Sequence, residues 1–96
     1  MADYQITCIT KSLPHGGYEH ITHVGNQQFV GGAWKLPVAV IVNQIDTKTN
    51  TFYVLDSRTG KRATVGVVRP THRQPYLRTY ADGVWNDNLL SLPQCL

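Results

Sequence analysis

YLRTYADGVWNDNLLSLPQCL, residues 76–96, is the stretch against which the rest of this 96-residue chain is read. YLRTYA alternates cleanly, with Leu77, Thr79 and Ala81 on one side and Tyr76, Arg78 and Tyr80 on the other. That period of two is the signature of a strand. Asp82-Gly83 follows as a tight-turn pair, because both central residues of a type I′ turn need positive φ. Val84 and Trp85 can then pair back. Asn86-Asp87-Asn88 is poor in strand propensity and well suited to side-chain to backbone bonds. Asn86 or Asp87 is positioned to cap a short turn carrying Leu89, Leu90 and Leu92, which Pro93 ends.

Working outward, the preceding segment reads as the clearest hairpin. TFYVLD (51–56) is one strand, SRTGK (57–61) the turn with Gly60 free to take positive φ, and RATVGVVR (62–69) the return strand. Ala63, Val65 and Val67 share one face of that strand. PTHRQP (70–75) is a proline-bounded link that cannot continue a ladder. Upstream, LPVAVIVNQID (36–46) carries Val38, Ile41, Val42 and Ile45 at helical spacing, with Pro37 suited to a first turn. A helix is expected there, with a buried strand as the alternative, because consecutive β-branched residues lower helix propensity. TKTN (47–50) is a turn-rich link.

At the start, YQITCIT (4–10) and YEHITHV (18–24) read as two strands of an antiparallel hairpin. They flank the loop KSLPHGG (11–17), marked by Pro14 and Gly16-Gly17. GNQQFVGGAWK (25–35) reads as an irregular, glycine-rich connection, pinned to the core by Phe29 and Trp34. The expected class is α+β: a mostly antiparallel sheet of about five or six strands with one helix packed on it, in ββαβββ order, forming a single domain over 1–96.

Composition narrows the function classes. Hydrophobic residues make up 42% and charged residues 16%, a globular balance. No apolar run approaches the length that spans a membrane. The start MADYQITCIT lacks a basic region followed by an apolar core, so no signal peptide is read there and the cytoplasm is the expected compartment. A domain this small often gains stability by self-association, so a homo-oligomer is compatible with every reading below.

Net charge is only +3, but it is unevenly spread. Arg58, Lys61, Arg62, Arg69, Arg73 and Arg78 fall between Ser57 and Ala81 with no acid among them. A one-sign segment favours anionic partners, although it also serves as a solvated face. Tyr76, Arg78 and Tyr80 make an aromatic–cation–aromatic strip, the kind of surface on which bases stack and phosphates pair. The alternative turns Tyr76 and Tyr80 inward. The candidate ligand contacts are Tyr76, Arg78 and Tyr80, with Arg62, Arg69 and Arg73 around them. The expected partner is an anionic ligand, either a nucleotide or nucleic acid. The competing expectation is a protein partner docked on an exposed tryptophan, as in a phage- or mobile-element-encoded inhibitor of a host protein.

Catalysis and metal binding are not expected. Cys8, His20 and Asp87 have the types of a nucleophile, a base and an orienting group, but no spacing assembles them. His20 and His23, three apart on a strand, face opposite sides, and no Cys-x-x-Cys anchors a zinc site. No cofactor motif is present; Gly25, Gly31 and Gly32 match no phosphate-binding fingerprint. Cys8 and Cys95 are expected as neighbouring reduced thiols, with the final segment packed near the first strand; a disulfide is the alternative.

ITCI, HITHVG, the Gly-Gly-x-Trp of 31–34, FYV and above all YLRTYADGVWNDNLLSLPQC resemble the small bacterial and phage family known as domain of unknown function 3892. The resemblance covers nearly the whole chain. It implies a domain running from the ITCI strand to the LPQC end, and it assigns no activity and no site.

Overall fold

A computed structural model describes residues 2–13, 16–27, 31–56, 59–81 and 83–95. Pro14 of the first loop, the Phe29 anchor, Ser57 and Arg58 of the hairpin turn and Asp82 of the tight turn lie outside the described residues. The fold is α+β, as the pattern predicts, with one helix packed on mostly antiparallel sheets. Eight strands are present among the described residues: β1 (Ala2–Gln5), β2 (Cys8–Lys11), β3 (Ile21–Asn26), β4 (Trp34–Pro37), β5 (Asn50–Leu55), β6 (Arg62–Val68), β7 (Tyr76–Ala81) and β8 (Val84–Asn86). They form two sheets rather than the one expected. Five strands lie in the order β1-β5-β6-β7-β8, and three in the order β2-β3-β4.

The split originates in the first strand. Residues 4–10 do not run as one element, because the chain changes sheets between Ile6 and Thr7. Ile6 N–H donates to the Tyr53 carbonyl (2.8 Å), whereas Thr7 N–H donates to the Gly25 carbonyl (2.8 Å). The simple alternation therefore fails, and Ile6, Cys8 and Ile9 are all buried. β1 pairs with β5 in parallel, Tyr4 opposite Phe52. β2 pairs with β3 antiparallel, Cys8 opposite Gly25, as the expected hairpin requires.

Two further expectations are corrected. The strand assigned to 18–24 opens with a 3-10 turn, Tyr18–His20, and the strand itself continues to Asn26. The stretch 25–35 is not merely connecting chain: Trp34 starts β4, which pairs with β3 at Asn26↔Trp34 and Gly25↔Lys35. Gly25 explains the fit. A Cβ there would stand 2.3 Å from the Trp34 carbonyl oxygen, so only glycine lets the two backbones approach.

The helix α1 (Val38–Asp46) forms where the apolar stripe predicts it. Ile41 is fully buried, with Val38, Val42 and Ile45 packed against the core beside it. The helix lies on the inner face of β5, β6 and β7 and also touches β3 and β4. Phe52, Val54, Val65 and Leu77 supply the sheet side of that core, and Ile9, Val24 and Leu89 the other. The expected β5–β6 hairpin is present, with Val54 opposite Ala63 and Gly60 at φ 71° in its turn.

The C-terminal segment closes the molecule. Thr79, completely buried, donates its hydroxyl to Asn86 Oδ1 (2.5 Å) and accepts from Leu89 N–H (3.2 Å). Asn86 Oδ1 also accepts from Asn88 N–H (3.0 Å). One turn follows, with Ser91 N–H donating to the Asp87 carbonyl and Leu92 N–H to that of Leu89. The chain then runs parallel to β2, bridging Ile9 to Gln94. The final segment thus lies against β2, as expected, but the thiols are not free. Cys8 and Cys95 are joined by a disulfide, their Cα atoms 4.9 Å apart. The bridge at Ile9 sets this proximity, since it holds the residue before Cys95 beside the residue after Cys8.

Candidate ligand-binding face

The inner and outer faces of the large sheet follow from burial. Along β7, Leu77 and Thr79 are fully buried, whereas Tyr76 and Arg78 are half-buried and Tyr80 is 38% exposed. Tyr76, Arg78 and Tyr80 therefore point away from the helix. On β6 the outer positions are Arg62, Thr64, Gly66 and Val68, and on β5 Thr51, Tyr53 and Leu55.

Register brings part of this face into a row. Tyr53 lies opposite Thr64, Thr64 opposite Tyr80, and Tyr80 opposite Trp85. Tyr80 and Trp85 meet edge to face, with ring centroids 5.4 Å apart. Arg62 lies over the Tyr53 ring, its Cζ 4.0 Å from the centroid, and pairs with Asp3 Oδ2 at 2.8 Å. Strands are spaced by about 4.8 Å, so the backbones at Tyr53 and Tyr80 lie about 10 Å apart, with Thr64 between them.

The other end of β7 is a closed network. Tyr18, from the 3-10 turn, stacks on Tyr76 with centroids 6.2 Å apart, and Arg78 lies over the Tyr18 ring at 4.9 Å. The Tyr18 hydroxyl meets the Asn86 carbonyl (2.9 Å) and donates to Asp87 Oδ1. Arg78 donates to Asp87 Oδ1 (3.2 Å) and to the Asn86 carbonyl (3.3 Å). Burial, and then the hydrogen bond to Asp87, pushes the Tyr18 hydroxyl up to about 12. The Tyr18 hydrogen bond, followed by Arg78, holds the Asp87 carboxyl below the usual carboxylate range. Arg78 is thus engaged within the protein, not presented bare to solvent.

The six candidate contacts separate accordingly. Tyr80 and Arg62 share the open end of the face, and Tyr76 and Arg78 share the Tyr18 network. Arg69 pairs with Asp46 at the end of α1, on the helix side. Arg73 is exposed in the link between β6 and β7, with no ion-pair partner among the described residues. Sequence reasoning missed Tyr53 and Tyr18 on this face, and the acids Asp3 and Asp87 that meet its arginines. Alternation along β5 would have revealed Tyr53, since Phe52 and Val54 flank it. Nothing local marks Tyr18 or Asp3, whose partners lie 59 or more residues away in Asp3–Arg62 and Tyr18–Asp87, while Asp87 meets Arg78, nine residues before it, across the β7–β8 hairpin.

His20 lies near Glu19 (3.8 Å) and His23 Nδ1 near Thr22 Oγ1 (2.9 Å). Among the described residues no three metal-ligating side chains gather, and no helix is long and apolar enough to cross a membrane.

Neither a curated protein nor a solved structure matches the chain. Residues 5–93, from the start of the ITCI segment to Pro93, match the model of one family, and the chain belongs to that family, described as Protein of unknown function (DUF3892).

Proposed function

We propose that this chain is a non-catalytic binding module that holds an anionic, base-bearing ligand, single-stranded nucleic acid or a nucleotide, on the outer face of its five-stranded sheet. The observation that carries the reading is the row Tyr53, Thr64, Tyr80 and Trp85, with Arg62 at its edge. Tyr80 offers a ring on which a base can stack, and Tyr53, two strands away, offers a second where the base takes the place of the Arg62 guanidinium. Arg62, at the same end of the face, can turn to a phosphate joined to that base. Its pairing with Asp3 is no obstacle: both side chains are largely exposed, and such a pair is weak and exchanges partners readily. Arg73 and a net charge of +3 add long-range attraction.

A second reading, a protein partner, is favoured by β8. Val84 is 66% and Trp85 43% exposed, and the strand has no neighbour on its outer edge among the described residues. A partner strand can add to such an edge. Purification from the native cell separates the two. Nucleic acid or nucleotide co-purifying with the wild type, and lost in Tyr80→Ala, supports the first reading. A stoichiometric protein partner with no absorbance excess at 260 nm replaces it with the second.

A further inference from the structure

On the opposite face of the five-stranded sheet from the Tyr53–Trp85 row, a pocket of about 280 Å³ opens between β1, β4, β5 and α1. Its walls are Tyr4, Trp34, Phe52, Leu36, Gln44 and Asn50. The three rings surround it in mutual contact: Tyr4–Trp34 at 6.2 Å edge to face, Tyr4–Phe52 at 5.9 Å and Trp34–Phe52 at 6.2 Å. Among the described residues no charged side chain lines it. Besides the Tyr4 hydroxyl, its polar side chains are two carboxamides whose roles are divided. Asn50 is committed on both sides, accepting from Ala2 N–H (3.2 Å) and donating to Gln44 Oε1 (3.0 Å). Gln44 Oε1 is thereby engaged, and its Nε2 amino group donates to no partner among the described residues. The Trp34 indole N–H, by contrast, is shielded inside the protein, with no hydrogen-bond partner among the described residues, and only the ring of Trp34 faces the pocket.

We propose that this pocket is a second binding site, distinct from the outer face, for an uncharged planar ring compound that carries a hydrogen-bond acceptor. Three aromatic walls favour a flat ring, which stacks or meets an edge without loss of shape. The absence of any charge disfavours an ion, which would lose its hydration with nothing to replace it. The Gln44 amino group, beside an oxygen already engaged by Asn50, favours a ligand that carries an acceptor. The volume suits one or two fused rings, at the small end of ligand sites.

Caffeine is a suitable probe, being flat, uncharged and furnished with acceptors but no donor. Two-dimensional amide NMR of the intact protein reads both sites at once, through the indole N–H signals of Trp34 and Trp85 and the Gln44 side-chain amide. The expected result is a saturable shift at Trp34 and Gln44 at about millimolar probe, with Trp85 unmoved. Gln44→Glu keeps the oxygen facing Asn50 but removes the donors and adds a charge; it is expected to weaken binding about tenfold or more while amide dispersion stays native. Adenosine monophosphate, which carries the charge this pocket lacks, is expected to leave Trp34 unmoved. No saturable shift at Trp34, shifts confined to Trp85, or undiminished binding by Gln44→Glu would each overturn the proposal. Because Trp34 and Trp85 report separately, failure here is distinguishable from failure of the outer-face reading.

Discussion

The rings of Tyr80 and Trp85 meet edge to face above Gly66, which has no side chain to hold them off the sheet. A Cβ on Gly66 would lie 3.1 Å from Tyr80 Cε1 and 3.2 Å from Trp85 Cη2. Glycine in a central strand is normally a weakness, and here two aromatic rings cover it. The same contact pre-positions the two residues that form the open end of the proposed face.

Gly66→Val therefore acts on stability and on the face together. The added methyl groups push both rings outward, with an expected cost of about 1–3 kcal/mol in urea unfolding. Trp85 emission should shift to longer wavelength as the indole becomes more exposed. Wild-type stability with unchanged emission would contradict the packing described.

Thr79 organises the closing corner. Thr79→Val removes the hydroxyl that links Asn86 Oδ1 to Leu89 N–H inside the core. The expected loss is about 1–3 kcal/mol, because two buried polar groups lose a partner at constant side-chain shape. Thr79→Ser should recover most of it. Asn86→Ala, which strips the corner from the other side, should destabilise similarly. A folded Asn86 variant that had lost only ligand binding would make the corner a site instead.

The antiparallel run β5–β6–β7 and the helix were legible because their information is local. Ala63, Val65 and Leu77 alternate with polar neighbours, and Val38, Ile41, Val42 and Ile45 recur at helical spacing. The sheet change at Ile6–Thr7 was not legible, since it depends on which of two distant strands each N–H meets. Nor was the parallel pairing of β1 with β5, whose partners lie 48 residues apart in Ala2–Asn50. Gly25 read as flexibility until the backbone facing it was known. The basic stretch 57–81 suggested a bare cationic face because its acids lie outside it: Asp3 and Asp46 reach it only through the fold, and Asp87 turns back onto Arg78 across the β7–β8 hairpin.

The disulfide is directly testable. Cys8 and Cys95 enclose nearly the entire chain, and a loop of that length gives roughly 4–5 kcal/mol on the chain-entropy model. Intact mass should rise by about 2 Da on reduction, and the reduced protein or Cys95→Ala should melt at clearly lower temperature. Two thiols that alkylate without prior reduction in freshly prepared protein would show the pair to be open.

Alkaline pH probes the Tyr18 network. Burial and the bond to Asp87 raise the Tyr18 hydroxyl from 10.0 to about 12. A raised folded-state value adds stability that is fully present below 10.0 and disappears as pH climbs through about 12. Tyr18→Phe should abolish that part of the pH dependence, and absorbance at 295 nm should lose its last-ionising component. At the acid end Asp87, held low by Tyr18 and then Arg78, contributes above the ordinary carboxylate range and ceases to as pH falls below it. Asp87→Asn should flatten that limb. A tyrosine titration in which Tyr18→Phe removes an early component would contradict the geometry.

The central claim is that the Tyr53–Trp85 row with Arg62 is a binding face, and fluorescence anisotropy of a labelled single-stranded oligonucleotide of about 15 bases tests it most directly. The account predicts saturable binding that weakens with added salt, falling about tenfold in each of Tyr53→Ala and Tyr80→Ala. Arg62→Ala should lower both the affinity and the salt slope, whereas Arg69→Ala, tied to α1, should leave both near wild type. No binding at low salt, or binding that survives Tyr53→Ala and Tyr80→Ala with the fold intact, would contradict it.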